Sequence, residues 1–403
     1  MRRSFAPIAL AAATMLGGCL VHREHQWSPR ADAAPPTASA PVSLVVLGDA
    51  GAPGRRAGAV AEGLEDTLAA ERAAGRTPVV LWTGNLLLDR RGRVDCDAAS
   101  NVWQRPGVDA LGEVVRAHQA AGGSSYAIPG EAAYRCGARE QLRSGSHPWS
   151  QPGVHYVVDL MPSGATAQAT ACSAGACTPV AQHDGALAQL VFVDLTPWIA
   201  GRRPAEHDQD LRALAALMEQ LAAAPGPPRI LVSHYPIEAA GFHGVGGGDP
   251  DSTVHTMAPV VVEMLRQGAF VGALSGHDRA TYASADITDG TIRSDRVFLP
   301  HAVFQVVSGA ASTPDVRGRS GWRRLRYNSS IALEADRYTP RAGFAVVRLD
   351  GTRGDAELHA HRSGRWRTTN VAIDLQPPAR GALAKTPSVA PCLRCTRVPV
   401  SER

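Results

Sequence analysis

Arg229-Ile-Leu-Val-Ser-His234-Tyr-Pro-Ile237 is the stretch that decides the fold. A short apolar run broken by Pro236 reads as a buried strand with His234 at its carboxyl end. Open α/β sheets bind ligands beyond the carboxyl ends of their strands, so His234 stands where a site would be built. A histidine there is also commonly a hydrogen-bonded surface residue, and only partners elsewhere in the chain separate the two readings.

Other segments share this format. Ser43-Leu-Val-Val-Leu-Gly-Asp49-Ala-Gly51 is an apolar run ending in Gly-Asp-x-Gly, followed by a helical pattern through Val60, Leu64 and Leu68. Pro78-Val-Val-Leu-Trp-Thr-Gly84-Asn85 repeats it. A helix through Val108, Leu111 and Val115 precedes Ser125-Tyr-Ala-Ile-Pro-Gly130-Glu131. Leu190-Val-Phe-Val-Asp194 leads, through an amphipathic helix with Leu211, Leu214, Leu217, Met218 and Leu221 on one face, into the His234 strand. A helix over Val254 to Gly268 precedes Phe270-Val-Gly-Ala-Leu-Ser-Gly276-His277-Asp278-Arg279. Strands alternating with helices specify an α/β fold. Five strand ends at Asp49, Asn85, Glu131, His234 and His277 argue for one site on one sheet edge. The runs at Val303–Val307, Phe344–Leu349, Ala356–His361 and Val371–Leu375 alternate like strands with no helices between them.

In that order, Gly48-Asp49-Ala-Gly51, Gly84-Asn85, Gly130-Glu131, Val232-Ser-His234 and Gly276-His277-Asp278-Arg279 resemble the calcineurin-like metallophosphoesterase superfamily, nearest its purple-acid-phosphatase branch, over about residues 42 to 350. The resemblance implies a four-layer αββα sandwich with mixed sheets. It also implies a two-metal centre that positions a phosphate ester and generates a hydroxide. The family pattern is Gly-Asp-x-Gly, Gly-Asp-x-x-Tyr, Gly-Asn-His-Asp/Glu, x-x-His and Gly-His-x-His. Asp49, His234 and His277 keep it. Asn85 replaces the bridging carboxylate, Leu88 a tyrosine or asparagine ligand, Glu131 an asparagine, Ala132 the histidine beside the leaving group and Arg279 a second imidazole.

These departures fall unequally on the two metal positions. At the first, Asp49 faces an amide, a leucine and Arg279, a permanent cation with no lone pair to give. That position is expected to be empty, with the Arg279 guanidinium as the ion-pair partner of Asp49. At the second, Asn85, Glu131, His234 and His277 form a credible set for Zn²⁺, Fe²⁺ or Mn²⁺, so the expected cofactor is at most one divalent ion, or none. His243, at the start of the glycine-rich loop that runs on from Gly244 to Pro250, is a candidate general acid against the plainer reading of a surface histidine.

Composition bounds the rest. The 403 residues are 44% hydrophobic, enough for a large core. The formal charge of +4 loses two with Arg2 and Arg3 if the first segment is removed, which leaves no electrostatic case for nucleic acid. Lys385 is the single lysine, so a nucleotide-binding P-loop is excluded. No Gly-x-Ser-x-Gly supports a serine hydrolase.

Arg2-Arg3, the apolar run Ala6 to Leu16 and then Leu16-Gly17-Gly18-Cys19 resemble a bacterial lipoprotein signal. That resemblance implies a lipid anchor on Cys19, and Leu20 after it points to the outer membrane. Residues 1–18 are then the signal, 19–41 a Pro-, Ala- and Ser-rich tether, 42–376 the folded domain with an irregular insertion at about 135–180, and 377–403 a poorly ordered tail. If neighbours pair, the other six cysteines fall as Cys96 with Cys136, Cys172 with Cys177 and Cys392 with Cys395, one of about fifteen connectivities that six cysteines allow, as disulfides suited to an exported chain. A zinc site on Cys172, Cys177, Cys392 and Cys395 is the competing reading. The expected function is a phosphoesterase-fold lipoprotein, weak or inactive in hydrolysis, that binds a phosphate-containing ligand or a protein partner. The alternative is an active phosphomonoesterase with a mononuclear centre.

Overall fold

The computed structural model describes residues 41–144, 146–173, 175–181, 183–198, 208–223, 226–237, 265, 267–287, 303–312, 337–339 and 341–375. Two mixed sheets carry the architecture. The first contains β1 (Val42–Leu47), β2 (Thr77–Trp82), β3 (Ser124–Ala127), β13 (Gly343–Leu349), β14 (Arg353–Arg362) and β15 (Arg365–Asp374), in the order β15-β14-β13-β1-β2-β3. The second contains β4 (His155–Leu160), β5 (Thr166–Ser173), β6 (Ala176–Cys177), β7 (Ala188–Val193), β8 (Arg229–Val232), β9 (Phe270–Ser275), β10 (Thr281–Ile287), β11 (Val303–Ser308) and β12 (Arg337–Thr339). Its order is β12-β10-β11-β9-β8-β7-β4-β5-β6. Parallel pairing joins β1, β2 and β3 in one sheet and β7, β8, β9 and β11 in the other.

Strand side chains alternate, and the alternation builds the layers. On β1, Val42, Leu44 and Val46 face inward and meet Tyr156, Leu190, Phe192, Ile230 and Val232 of the second sheet. Val45 and Leu47 face outward, under Val60, Leu64 and Leu68 of α1 (Arg55–Ala73) and Leu111 and Val115 of α2 (Val108–Ala120). On the far side, Val157, Val191, Val193 and Leu231 pack under α5 (Asp208–Ala223) through Leu211, Leu214, Leu217, Met218 and Leu221. Each such buried side chain contributes about 1.5–3 kcal/mol. Helix, sheet, sheet, helix is the expected four-layer αββα sandwich with mixed sheets.

Residues 135–180 correct the sequence reading. They contain α4 (Arg139–Ser144) and β4, β5 and β6, and these three strands form one edge of the second sheet. The signal was hidden because β5, Thr166-Ala-Gln-Ala-Thr-Ala-Cys-Ser173, alternates with alanines and threonines and lacks large apolar residues. Cys172 and Cys177 are cross-strand partners and form a disulfide, which removes the zinc alternative built on them. Cys96 and Cys136 form the second disulfide, while Cys19, Cys392 and Cys395 lie outside the described residues. No helix among the described residues is long and apolar enough to cross a membrane.

Candidate metal centre

Both sets of parallel strands deliver their carboxyl ends to one place because their exit loops carry glycines at the contact points. A Cβ on Gly48, after β1, would lie 2.7 Å from Gly276 Cα, after β9. A Cβ on Gly84, after β2, would lie 2.4 Å from His234 Nδ1 and 2.9 Å from Gly130 Cα, after β3. No larger residue permits that approach. The residues beside three of these glycines take the left-handed backbone conformation, Asp49 (φ 51°), Asn85 (φ 55°) and His277 (φ 65°), and so does Arg279 (φ 49°) two residues further on. Only two other non-glycine residues among those described do so, and such clustering of costly backbone geometry marks functional sites.

Glu131 opens α3 (Glu131–Arg135), His234 follows β8 and His277 follows β9. Glu131 Oε2 is 3.3 Å from His234 Nε2 and 3.0 Å from His277 Nδ1, and the two ring nitrogens are 3.2 Å apart. His234 Nδ1 donates to the Thr83 carbonyl at 2.6 Å. With that hydrogen committed, Nε2 of neutral His234 presents a lone pair to an anionic oxygen. Such an arrangement needs a second proton or a cation between the atoms. Tetrahedral zinc with bonds of about 2.0–2.1 Å separates its ligand atoms by about 3.3 Å. The three donors therefore have the spacing of one face of such a site, and they are the only described His, Cys, Asp and Glu group that could hold an ion. The residues present fit a divalent metal.

The electrostatics agree with a cation-seeking cluster. Burial alone would raise the Glu131 pKa, but the charge of His277 and hydrogen bonds from both histidines hold it well below the usual carboxylate value. Burial would lower His277, yet the charge of Glu131 and its hydrogen bond, with Asp49 and Asp278 behind them, raise it. Burial raises Asp49, against the partial offset of His234 and His277.

The other expected residues have contacts of their own. Asn85 uses its side-chain oxygen to accept the Ala132 N–H at 3.2 Å, so it caps the helix that carries Glu131. Asp49 stands within electrostatic reach of both histidines and outside the three-donor group. Arg279 acts on Asp49 through its charge and donates to the Gly92 carbonyl at 2.7 Å, tying the β9 exit to the turn after β2. Leu88 and Ala132 are buried in the apolar core behind the site. His243 lies outside the described residues.

Three contributors were not found in the sequence. The Tyr235 hydroxyl donates to Glu131 Oε2 at 3.3 Å, and its ring lies 4.3 Å from that of His277. Alternation would point Tyr235 away from His234, but β8 ends at Val232 and the Ser233 hydroxyl donates to the Tyr235 carbonyl, so both rings reach the site. The Ser312 hydroxyl donates to the Asp49 carbonyl at 2.6 Å and accepts the Ala52 N–H, which fixes the β1 exit loop from the far end of the chain. The Thr83 carbonyl orients His234, a role no side-chain motif reveals.

No family model and no curated protein matches the sequence. Among solved structures, GAP50, the anchor in the inner membrane complex of Plasmodium, matches with a TM-score of 0.53 and 14% identity, over 83% of this chain and 89% of its own. Purple acid phosphatase PPD1 from yellow lupin (Lupinus luteus) seeds matches with a TM-score of 0.48 and 11% identity, over 89% of this chain and 57% of its own. PhoD matches at 0.47 and 10%, over 83% and 69%. At these identities the likeness is one of fold.

Proposed function

We propose that this chain uses its metallophosphoesterase-type fold to hold one divalent ion on Glu131, His234 and His277, with little or no phosphoester hydrolysis, and acts by binding a ligand or partner. The observation that carries the proposal is the asymmetry of the site. Three donors converge on one side. On Asp49 acts the positive charge of Arg279, and Leu88 and Ala132, where the family pattern has ligands and an acid, are apolar residues of the core. Hydrolysis at a two-metal centre draws on a clamp from both ions and on an acid near the leaving group, and each such contribution is commonly worth about two orders of magnitude in rate. Ala132 has no proton to give.

Bound at the triad, a single ion would supply Lewis-acid polarisation of water or a phosphoryl oxygen, and on this chemistry rests the second reading, a mononuclear phosphomonoesterase. The residues around it orient and exclude water: Thr83 fixes the His234 ring, Tyr235 closes over His277, and both histidines are buried. GAP50 is an anchor on a shared fold, and a membrane-tethered, partner-binding role through a lipid on Cys19 is the corresponding proposal here.

Metal analysis with an aryl-phosphate assay on the chain from Pro41 onward separates the readings. The first expects about one ion per chain and turnover unchanged by His234→Ala or His277→Ala. Turnover abolished by either substitution establishes the second.

A further inference from the structure

α3 has five residues, too few for a helix to hold its own position, yet its first residue supplies the carboxylate of the triad. Three ties hold it. At its start, Asn85 Oδ1 accepts the Ala132 N–H. In the middle, the Tyr134 hydroxyl donates to the buried Asp194 at 2.5 Å. Immediately after it, Cys136 is bonded to Cys96. Asn85 and Cys96 both belong to the segment leaving β2, so that segment and α3 form a ring closed by one hydrogen bond at the metal side and one covalent bond outside. The two disulfides differ in access. Cys136 and Cys177 are both half-buried, but Cys172 is wholly buried, whereas Cys96 is exposed at the start of a 3₁₀ turn, Cys96–Ser100.

From this placement we propose that the Cys96–Cys136 disulfide is a redox switch on the metal affinity of Glu131, His234 and His277, a regulation that rests on reading the triad as a metal site. A dithiol reductant attacks the sulfur of the exposed residue Cys96, the S–S bond breaks, and Cys136 leaves as a thiolate that takes up a proton. The second thiol of the reductant then displaces Cys96. Two electrons and two protons end on the two cysteines and the reductant ends as a disulfide. α3 loses its carboxyl-terminal tie and keeps the other two, so Glu131 is held less firmly at 3.0 Å from His277 and 3.3 Å from His234. His234 and His277 sit on β8 and β9 exits that the bond does not touch, so the switch acts through the carboxylate alone.

Supports of this kind are worth about 10- to 100-fold in metal affinity. The test is zinc affinity of the full chain, by competition with a chromophoric chelator, in four forms: oxidised; reduced by a dithiol and alkylated; Cys96→Ser with Cys136→Ser; and Cys172→Ser with Cys177→Ser. Both forms lacking the first disulfide are expected to bind zinc about 10- to 100-fold more weakly, with the fourth form matching the oxidised chain. Equal affinity in the first three forms, or an equal loss in the fourth, overturns the switch while leaving the metal site standing. Zinc affinity of the oxidised chain that His234→Ala does not change overturns the metal site itself, and the switch with it. Should the first serine pair not fold, checked by circular dichroism, the reduced and alkylated chain supplies the same comparison.

Discussion

His155 offers a stability measurement whose size follows from the structure. It is fully buried on β4, its Nδ1 accepts the Asp194 N–H at 3.2 Å, and its Nε2 donates to the Asp210 carbonyl at 3.1 Å. Both nitrogens are committed to the neutral ring, and protonating Nδ1 would set two hydrogens against each other. Burial, against the partial offset of Asp210, pushes its pKa down to about 4. In the unfolded chain it titrates near 6.5. Between pH 6.5 and 4 the unfolded state therefore holds a proton that the folded state does not, and stability is lost as pH falls through that window. The gap, at 1.36 kcal/mol per pH unit, gives about 3 kcal/mol. Glutamine at this position keeps one acceptor and one donor and cannot titrate. His155→Gln is expected to cost about 1–3 kcal/mol at pH 7, where it loses ring packing against Trp198, and to recover most of that deficit by pH 4. Urea unfolding of both chains from pH 7 to pH 4 checks this. A stability difference constant across the range would refute the assignment of the buried neutral imidazole.

Three further outcomes are expected. Asn85→Asp with Arg279→His restores a carboxylate and an imidazole around Asp49 and should raise bound metal from about one toward two ions per chain, measured by elemental analysis; no rise would mean the loops have left the geometry of a two-metal centre. Arg348 binds Glu71, Asp355 and Glu357 at 2.8–2.9 Å while itself largely buried, so Arg348→Ala leaves three crowded carboxylates and should cost about 3–5 kcal/mol in a denaturant titration. Cys19→Ser should move the protein from the membrane to the soluble fraction when expressed with its own leader, and unchanged membrane association would remove the lipid anchor.

The parts of the fold that were legible in the sequence are those written in large apolar side chains. β1, β2, β7, β8 and β9 are nearly continuous apolar runs because parallel strands between two layers are buried on both faces, and β1, β2 and β9 lead into Gly-x pairs that stand out. The same property made Glu131, His234 and His277 findable, since each lies within four residues of a strand end. What stayed hidden depends on distant contacts. β5 has small residues and carries no strand signal of its own. The position of Asn85 in the motif is visible in the sequence, whereas its bond to Ala132 depends on how α3 docks. Ser312 reaches the Asp49 loop from 263 residues away, with no local pattern to mark it.

The central claim is that one divalent ion belongs on Glu131, His234 and His277. Zinc X-ray absorption on the stoichiometrically loaded chain tests it most directly. The expected spectrum has only nitrogen and oxygen neighbours at about 2.0–2.1 Å, with two imidazoles, and loses its imidazole scattering in His234→Ala with His277→Ala. A sulfur shell at about 2.3 Å, or a spectrum indifferent to that double substitution, would place the metal elsewhere and contradict the account.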